Sequence, residues 1–91
     1  MGHVKHYVYM LKCSDGTFYM GYSTEIARRV REHNASPKGA KYTRGRRPVV
    51  LVYYVECASR SEALKCEHML KKKSRTEKEK LIEAFEGNLD F

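Results

Sequence analysis

At 91 residues the chain has room for one domain, 1–91 with its core over about 5–86, and for a small hydrophobic centre. A 42% hydrophobic share keeps it globular, and a net charge of +7 points to a polyanionic partner: nucleic acid first, an anionic membrane surface second. No apolar run approaches the roughly 20 residues that span a bilayer, so no membrane segment is expected. Cys13, Cys57 and Cys66 form an odd, sparse set, which suits a reduced, cytoplasmic chain. Cys57, Cys66 and His68 lack the short paired cysteine spacing of a zinc site. The opening Met-Gly-His-Val-Lys-His has His6 where myristoylation requires Ser or Thr, so no lipid anchor is expected.

Residues 6–12, His-Tyr-Val-Tyr-Met-Leu-Lys, are aromatic and β-branched enough to predict a strand. Tyr7, Tyr9 and Leu11 share one face of it; Val8 and Met10 share the other. Ser14-Asp15-Gly16 supplies a turn, and 17–22 return as a second strand, with Phe18, Met20 and Tyr22 opposite Thr17, Tyr19 and Gly21. Gly21 either admits a close neighbour or is only a flexible strand exit. Ser23 or Thr24 then caps a helix to about Asn34, with Ile26, Val30 and His33 in one stripe. Arg29 lies at the edge of that stripe, whereas Arg28 and Arg31 point to solvent. Arg29 can reach a site at the helix–sheet junction or merely pair with Glu25; His33 can serve a site or merely pack.

Residues 35–47 carry Pro37, Gly39, Gly45 and five basic side chains, and predict a loop. Lys38, Lys41, Arg44, Arg46 and Arg47, interleaved with Tyr42 and Thr43, suit a phosphate backbone and a stacked base; a solvated loop is the alternative. Pro48 opens the apolar run 49–55, which predicts a third strand covered on both faces. Ser59 and Glu62, at capping-box spacing, start a helix to about Lys73. Its apolar face is Ala63, Cys66 and Leu70, and Glu67 projects from the middle of it. A glutamate there needs a cation, either Arg29 or Lys71 in a salt bridge, or else a polar cleft beside it. Ser74-Arg75-Thr76 caps a last helix to about Phe85, apolar through Leu81, Ile82 and Phe85, strongly basic at its start and ended by Gly87; a frayed tail follows.

Tyr9, Tyr19, Arg29 and Glu67, if brought together, match the demands of phosphodiester hydrolysis. Arg29 or a divalent cation can stabilise charge on the phosphoryl oxygens. A tyrosine can take the proton of a water if a nearby cation depresses its pKa. Glu67 as a sole protein ligand suits Mg²⁺, which keeps several waters.

The ordered set Tyr7-Val8-Tyr9, Tyr19-Met20-Gly21, Arg29, His33 and Glu67 resembles the GIY-YIG nuclease superfamily over residues 7 to about 73, and in particular its small stand-alone bacterial proteins. The stretch Gly39–Pro48 is similar to theirs, and there is likeness to the structure-specific nucleases that cut branched DNA. The resemblance implies an α+β fold, a three-stranded antiparallel sheet with flanking helices, and Mg²⁺-dependent cleavage of DNA. It also implies Tyr9 and Tyr19 as motif tyrosines, one of them general base, Arg29 on phosphate, Glu67 on metal, His33 in support and Gly21 for close backbone approach. Tyr7 replaces the name-giving glycine, Met20 a β-branched residue, and Tyr22 the lysine of excision-repair members. The expected activity is a DNA endonuclease on branched or damaged DNA; the alternative is a non-catalytic or partner-activated nucleic-acid-binding module. A monomer is expected, with targeting from the basic loop, the last helix or a protein partner.

Overall fold

A computed structural model describes residues 4–36 and 38–89. Three strands, β1 (His6–Lys12), β2 (Phe18–Ser23) and β3 (Val50–Cys57), form an antiparallel sheet in the order β2-β1-β3. Four helices accompany it: α1 (Ile26–Ala35), α2 (Lys41–Arg44), α3 (Arg60–Lys71) and α4 (Arg75–Ala84). The architecture is the expected α+β one. The β1–β2 turn forms because Gly16 adopts φ 84°, a conformation costly for other residues, while Asp15 accepts from both the backbone and the hydroxyl of Thr17.

β1 is central, so both of its faces are buried. Tyr9 and Leu11 pack with Ile26, Val49 and Leu51 under α1; Val8 and Met10 pack with Met20, Ala63 and Leu70 under α3 and α4. β3 is an edge strand, yet its apolar run is explained as predicted, because it feeds both clusters. A bulge opposite Met10 and Leu11 lets Val52 and Tyr53 both join the α3–α4 side, while Leu51 and Tyr54 face α1.

Several helix details depart from expectation. α1 is capped at Glu25 without a side-chain bond, and the Ser23 hydroxyl accepts from the Glu25 amide while Ser23 closes β2. Ser59 does accept from Glu62 N–H, but Glu62 reaches back to Ala58, and α3 ends at Lys71. The full capping box is at α4, between Ser74 and Glu77. Gly87 does not end α4, which stops at Ala84 with Phe85 at its cap; Phe85 stacks edge-on against Tyr53 and Tyr54. Of the tail expected to fray, the last two residues lie outside the described residues.

The stretch predicted as a loop contains α2, one short turn that holds a strap across the C-terminal end of α1 (Pro37 lies outside the described residues). Gly39 presses against α1 so closely that a Cβ there would lie 2.6 Å from the Glu32 carbonyl oxygen. Asn34 returns both hydrogen bonds of Val49, at 2.7 and 2.9 Å. Ser14 bonds the Arg46 carbonyl from its amide and its hydroxyl, tying the strap to the β1–β2 turn.

Candidate active site

Tyr9 and Gly21 are cross-strand partners, and this pairing places the central side chain of the site. With no side chain at Gly21, the Tyr9 phenol lies across the β2 backbone; a Cβ there would fall 2.4 Å from both Cζ and Oη. The close approach considered for Gly21 is therefore that of Tyr9. The phenol oxygen lies 2.8 Å from His33 Nε2, and both residues are buried. His33 Nδ1 is 3.0 Å from the Thr43 hydroxyl. Tyr19 packs edge-on against the His33 ring at 5.1 Å and stacks on Tyr42 at 5.7 Å.

Charges on two different helices influence Tyr9. Arg29 of α1 lowers its pKa, and Glu67 of α3 raises it. Burial first, then Tyr19, outweigh the arginine, so the phenol is held well above its ordinary range. A depressed tyrosine pKa, which a pre-ionised base would need, is thus opposed by the protein's own groups. Burial, followed by Arg29, drives His33 down to about 4, so its imidazole is neutral at physiological pH.

Arg29 is not paired with Glu25. Its Nη1 donates to Glu32 at 3.0 Å and to the Lys38 carbonyl at 2.8 Å, while Arg28 takes Glu25. The turn geometry explains the exchange: Glu32 lies one turn on from both arginines and serves both, at 3.0 Å from Arg29 and 3.3 Å from Arg28. Arg29 is three-quarters buried, at the junction predicted for it.

Glu67 is largely shielded, 17% exposed, and pairs with the more exposed Lys71 at 3.1 Å, the salt bridge considered from its position. Among the described residues no group of three or more His, Cys, Asp or Glu side chains gathers as a metal cage. A single carboxylate paired with a lysine at the solvent edge fits a cation that keeps most of its waters, and fits zinc poorly.

The strap residues divide. Lys38, Lys41 and Arg44 are exposed, and Tyr42 is 39% exposed. Arg46 lies over the Tyr42 ring at 4.0 Å and bonds Asp15 at 3.0 Å. Arg47 turns inward, donating to the carbonyls of His33, Ser36 and Glu32 at 2.5, 2.6 and 3.4 Å. It closes the open end of α1 rather than facing solvent, because the last helical carbonyls have no partners within the helix. Thr43, which the sequence places among the basic residues of this stretch, is fully buried against His33. Sequence reasoning missed the structural parts of Thr43, Asn34 and Gly39; the glycine beside a helix end was the one available signal. Tyr22, at the lysine position of excision-repair members, faces away from Tyr19 and bonds His6 at 2.8 Å.

A helix-flanked three-stranded sheet that sets the Tyr9 hydroxyl over Gly21 and beside His33 is the arrangement of a nuclease-type catalytic domain, and comparison with known proteins supplies the class. Residues 5–80 match the model of the GIY-YIG catalytic domain, and the chain belongs to that family. Its similarity is to UPF0213 proteins: 55% identity to one from Desulfotalea psychrophila over 88% of this chain and 73% of that one, and 54% to one from Halobacterium salinarum over 85% and 99%. Two solution structures share the fold. A UPF0213 protein from Bacillus halodurans is 49% identical, with TM-score 0.55 over 87% of this chain and 83% of that one. A protein from E. faecalis is 45% identical, with TM-score 0.62 over 96% and 94%.

Proposed function

We propose that the protein is a Mg²⁺-dependent endonuclease that hydrolyses phosphodiester bonds in DNA, with branched or damaged DNA as its substrate. The observation that carries this reading is the Tyr9 hydroxyl, laid across Gly21 and 2.8 Å from a neutral histidine, within the electrostatic reach of Arg29 and Glu67. Of the two tyrosines Tyr9 is the one with a proton acceptor in contact, so it is assigned the water's proton. Arg29 neutralises charge on the phosphoryl oxygens. Glu67 would hold the cation, which when bound supplies Lewis-acid stabilisation to the phosphate and leaving oxygens. Lys38, Lys41, Tyr42, Arg44 and Arg46 form the nucleic-acid face; Arg47 is left out because its Nε and Nη2 turn inward to carbonyls at the end of α1. Affinity from such a face falls steeply with salt.

The test is cleavage of labelled duplex, flap and four-way-junction DNA, with and without Mg²⁺, by the wild type and Glu67→Ala. Metal-dependent cutting lost in the variant supports the reading and ranks the substrates. Binding without cutting by either protein refutes it for these substrates. A second reading, a partner-activated or non-catalytic binding module, is favoured by one observation: Tyr42 stacks on Tyr19 and is itself covered by Arg46, so the strap lies over one site tyrosine. Cleavage that appears only with an added partner protein, or on Tyr42→Ala, would select it.

A further inference from the structure

We propose that Thr43 is a positioning residue for proton transfer, fixing His33 with its proton on Nδ1 so that Nε2 is bare toward Tyr9. The inference rests on the nuclease reading for its kinetic consequence, though not for its structural core. The Thr43 hydroxyl is fully buried and has two close partners: the Ala40 carbonyl at 2.8 Å and His33 Nδ1 at 3.0 Å. A carbonyl only accepts, so the single hydroxyl proton of Thr43 is spent on Ala40. The contact with Nδ1 is then a hydrogen bond only if the ring nitrogen donates. A neutral ring protonated at Nδ1 has a lone pair at Nε2, and there Tyr9 donates across 2.8 Å.

The opposite tautomer fits less well. It would give Thr43 Oγ1 to Nδ1 and leave the 2.8 Å contact to Ala40 without a proton. The Ala40 amide, 3.4 Å from Nδ1, is the one contact that favours the opposite tautomer, since only a bare Nδ1 could accept from it; it is the longest of the set and is outweighed by the 2.8 Å bond from Thr43 to Ala40. The chain Tyr9 O–H to His33 Nε2, and His33 Nδ1–H to Thr43 to Ala40 C=O, points one way throughout.

This direction answers a difficulty of the site. A phenol held above its ordinary pKa is a poor stock of phenolate. In a relay none need accumulate: as the attacking water gives its proton to Tyr9 Oη, Tyr9 gives its own to His33 Nε2. One O–H bond forms and one breaks at the phenol, the oxygen of the water forms its bond to phosphorus as the phosphorus–oxygen bond to the leaving strand breaks, the electron pair departs with that leaving oxygen, which takes a proton from solvent, and the positive charge ends on imidazolium. Both of its N–H groups are then donors, to Tyr9 and to Thr43. The groups facing His33 are Tyr9 from β1, Tyr19 from β2, Arg29 and Glu32 from α1, and Arg47 from the strap. Thr43 is neutral, so its effect is one of proton placement rather than of charge.

The experiment uses the full ¹⁵N-labelled chain and long-range ¹H–¹⁵N spectra of the His33 ring at pH 7. The wild type is expected to show a protonated Nδ1 and a bare Nε2. Thr43→Ser is expected to keep that pattern and the cleavage rate. Thr43→Val is expected to lose the tautomer preference and, on a substrate the wild type cuts, about 10²-fold in kcat with KM unchanged, the scale of a lost general base. A protonated Nε2 in the wild type, or an unchanged tautomer in Thr43→Val, overturns the proposal. If Thr43→Val does not fold, the wild-type spectrum and Thr43→Ser decide. If the wild type cuts nothing, the nuclease reading fails while the spectrum still judges Thr43.

Discussion

Gly21→Ala offers a direct test of the geometry at the heart of the site. The added methyl would sit 2.4 Å from Cζ and Oη of Tyr9, far inside van der Waals contact. The phenol has little room to yield, since it is 1% exposed and anchored to a fully buried histidine. Overpacking of this kind costs about 1–3 kcal/mol. Loss of the Tyr9–His33 bond adds about 1 kcal/mol. The sum, about 2–4 kcal/mol, lowers the melting temperature of a domain this size by roughly 10–25 °C. Gly45→Ala is the control: nothing lies within 4 Å of its Cβ position and its φ of −89° suits any residue, so it should be neutral or stabilise by about 0.4–1 kcal/mol. Both variants are compared by urea and thermal unfolding, with the His33 ring signals as a local probe. A Gly21→Ala protein melting within about 3 °C of wild type, with those signals unmoved, would refute the packing argument.

Arg47→Met should cost about 2–3 kcal/mol in urea unfolding, because three carbonyls at the end of α1 lose a charged donor. Lys41→Ala and Arg44→Ala should leave stability within about 0.5 kcal/mol yet flatten the salt dependence of DNA binding by roughly 0.7–0.9 each. Glu67→Gln should likewise change stability by under about 0.5 kcal/mol, since its pair with Lys71 is open to solvent on the lysine side, while abolishing Mg²⁺-dependent cleavage; a large stability loss would make Glu67 structural. His33 is held down at about 4 in the fold and titrates near 6.5 when unfolded, so between those values the unfolded chain binds more protons. Its contribution is therefore complete above about pH 6.5 and is lost as pH falls toward 4, at up to about 1.4 kcal/mol per unit. His33→Gln should remove that slope from the pH dependence of stability, and a variant that keeps it would show the slope to belong to another group.

The order of strands and helices was legible because it follows from local patterns: the two-residue alternation of 6–12, the turn at Ser14–Gly16, and the apolar stripes of α1 and α3. The alternation also grouped Tyr9 with Tyr7 and Leu11, and Tyr19 with Gly21, while the strand register put the two sets on one face; the oddity of a glutamate within an apolar helix face singled out Glu67. What local pattern could not carry was the choice among equivalent partners. Glu25 and Glu32 are both within a turn of Arg29, and only packing gives it Glu32 and the Lys38 carbonyl. Basic residues between glycines read alike, yet Arg47 turns inward to helix carbonyls while Arg44 is exposed.

By itself, then, the sequence determined which segments are sheet and which, α2 apart, are helix, which faces are apolar, and which polar residues have no place in a core unless paired. These depend on side-chain periodicity and on the cost of burying charge. Only the tertiary structure decided that the Tyr9 phenol passes over Gly21, that the strap buries Thr43 against His33, and that Arg29 and Glu67, from separate helices, both influence the Tyr9 phenol. Those pairings join residues from 10 to 58 positions apart, are set by how the sheet is covered, and no local pattern records which neighbour a buried polar atom will find.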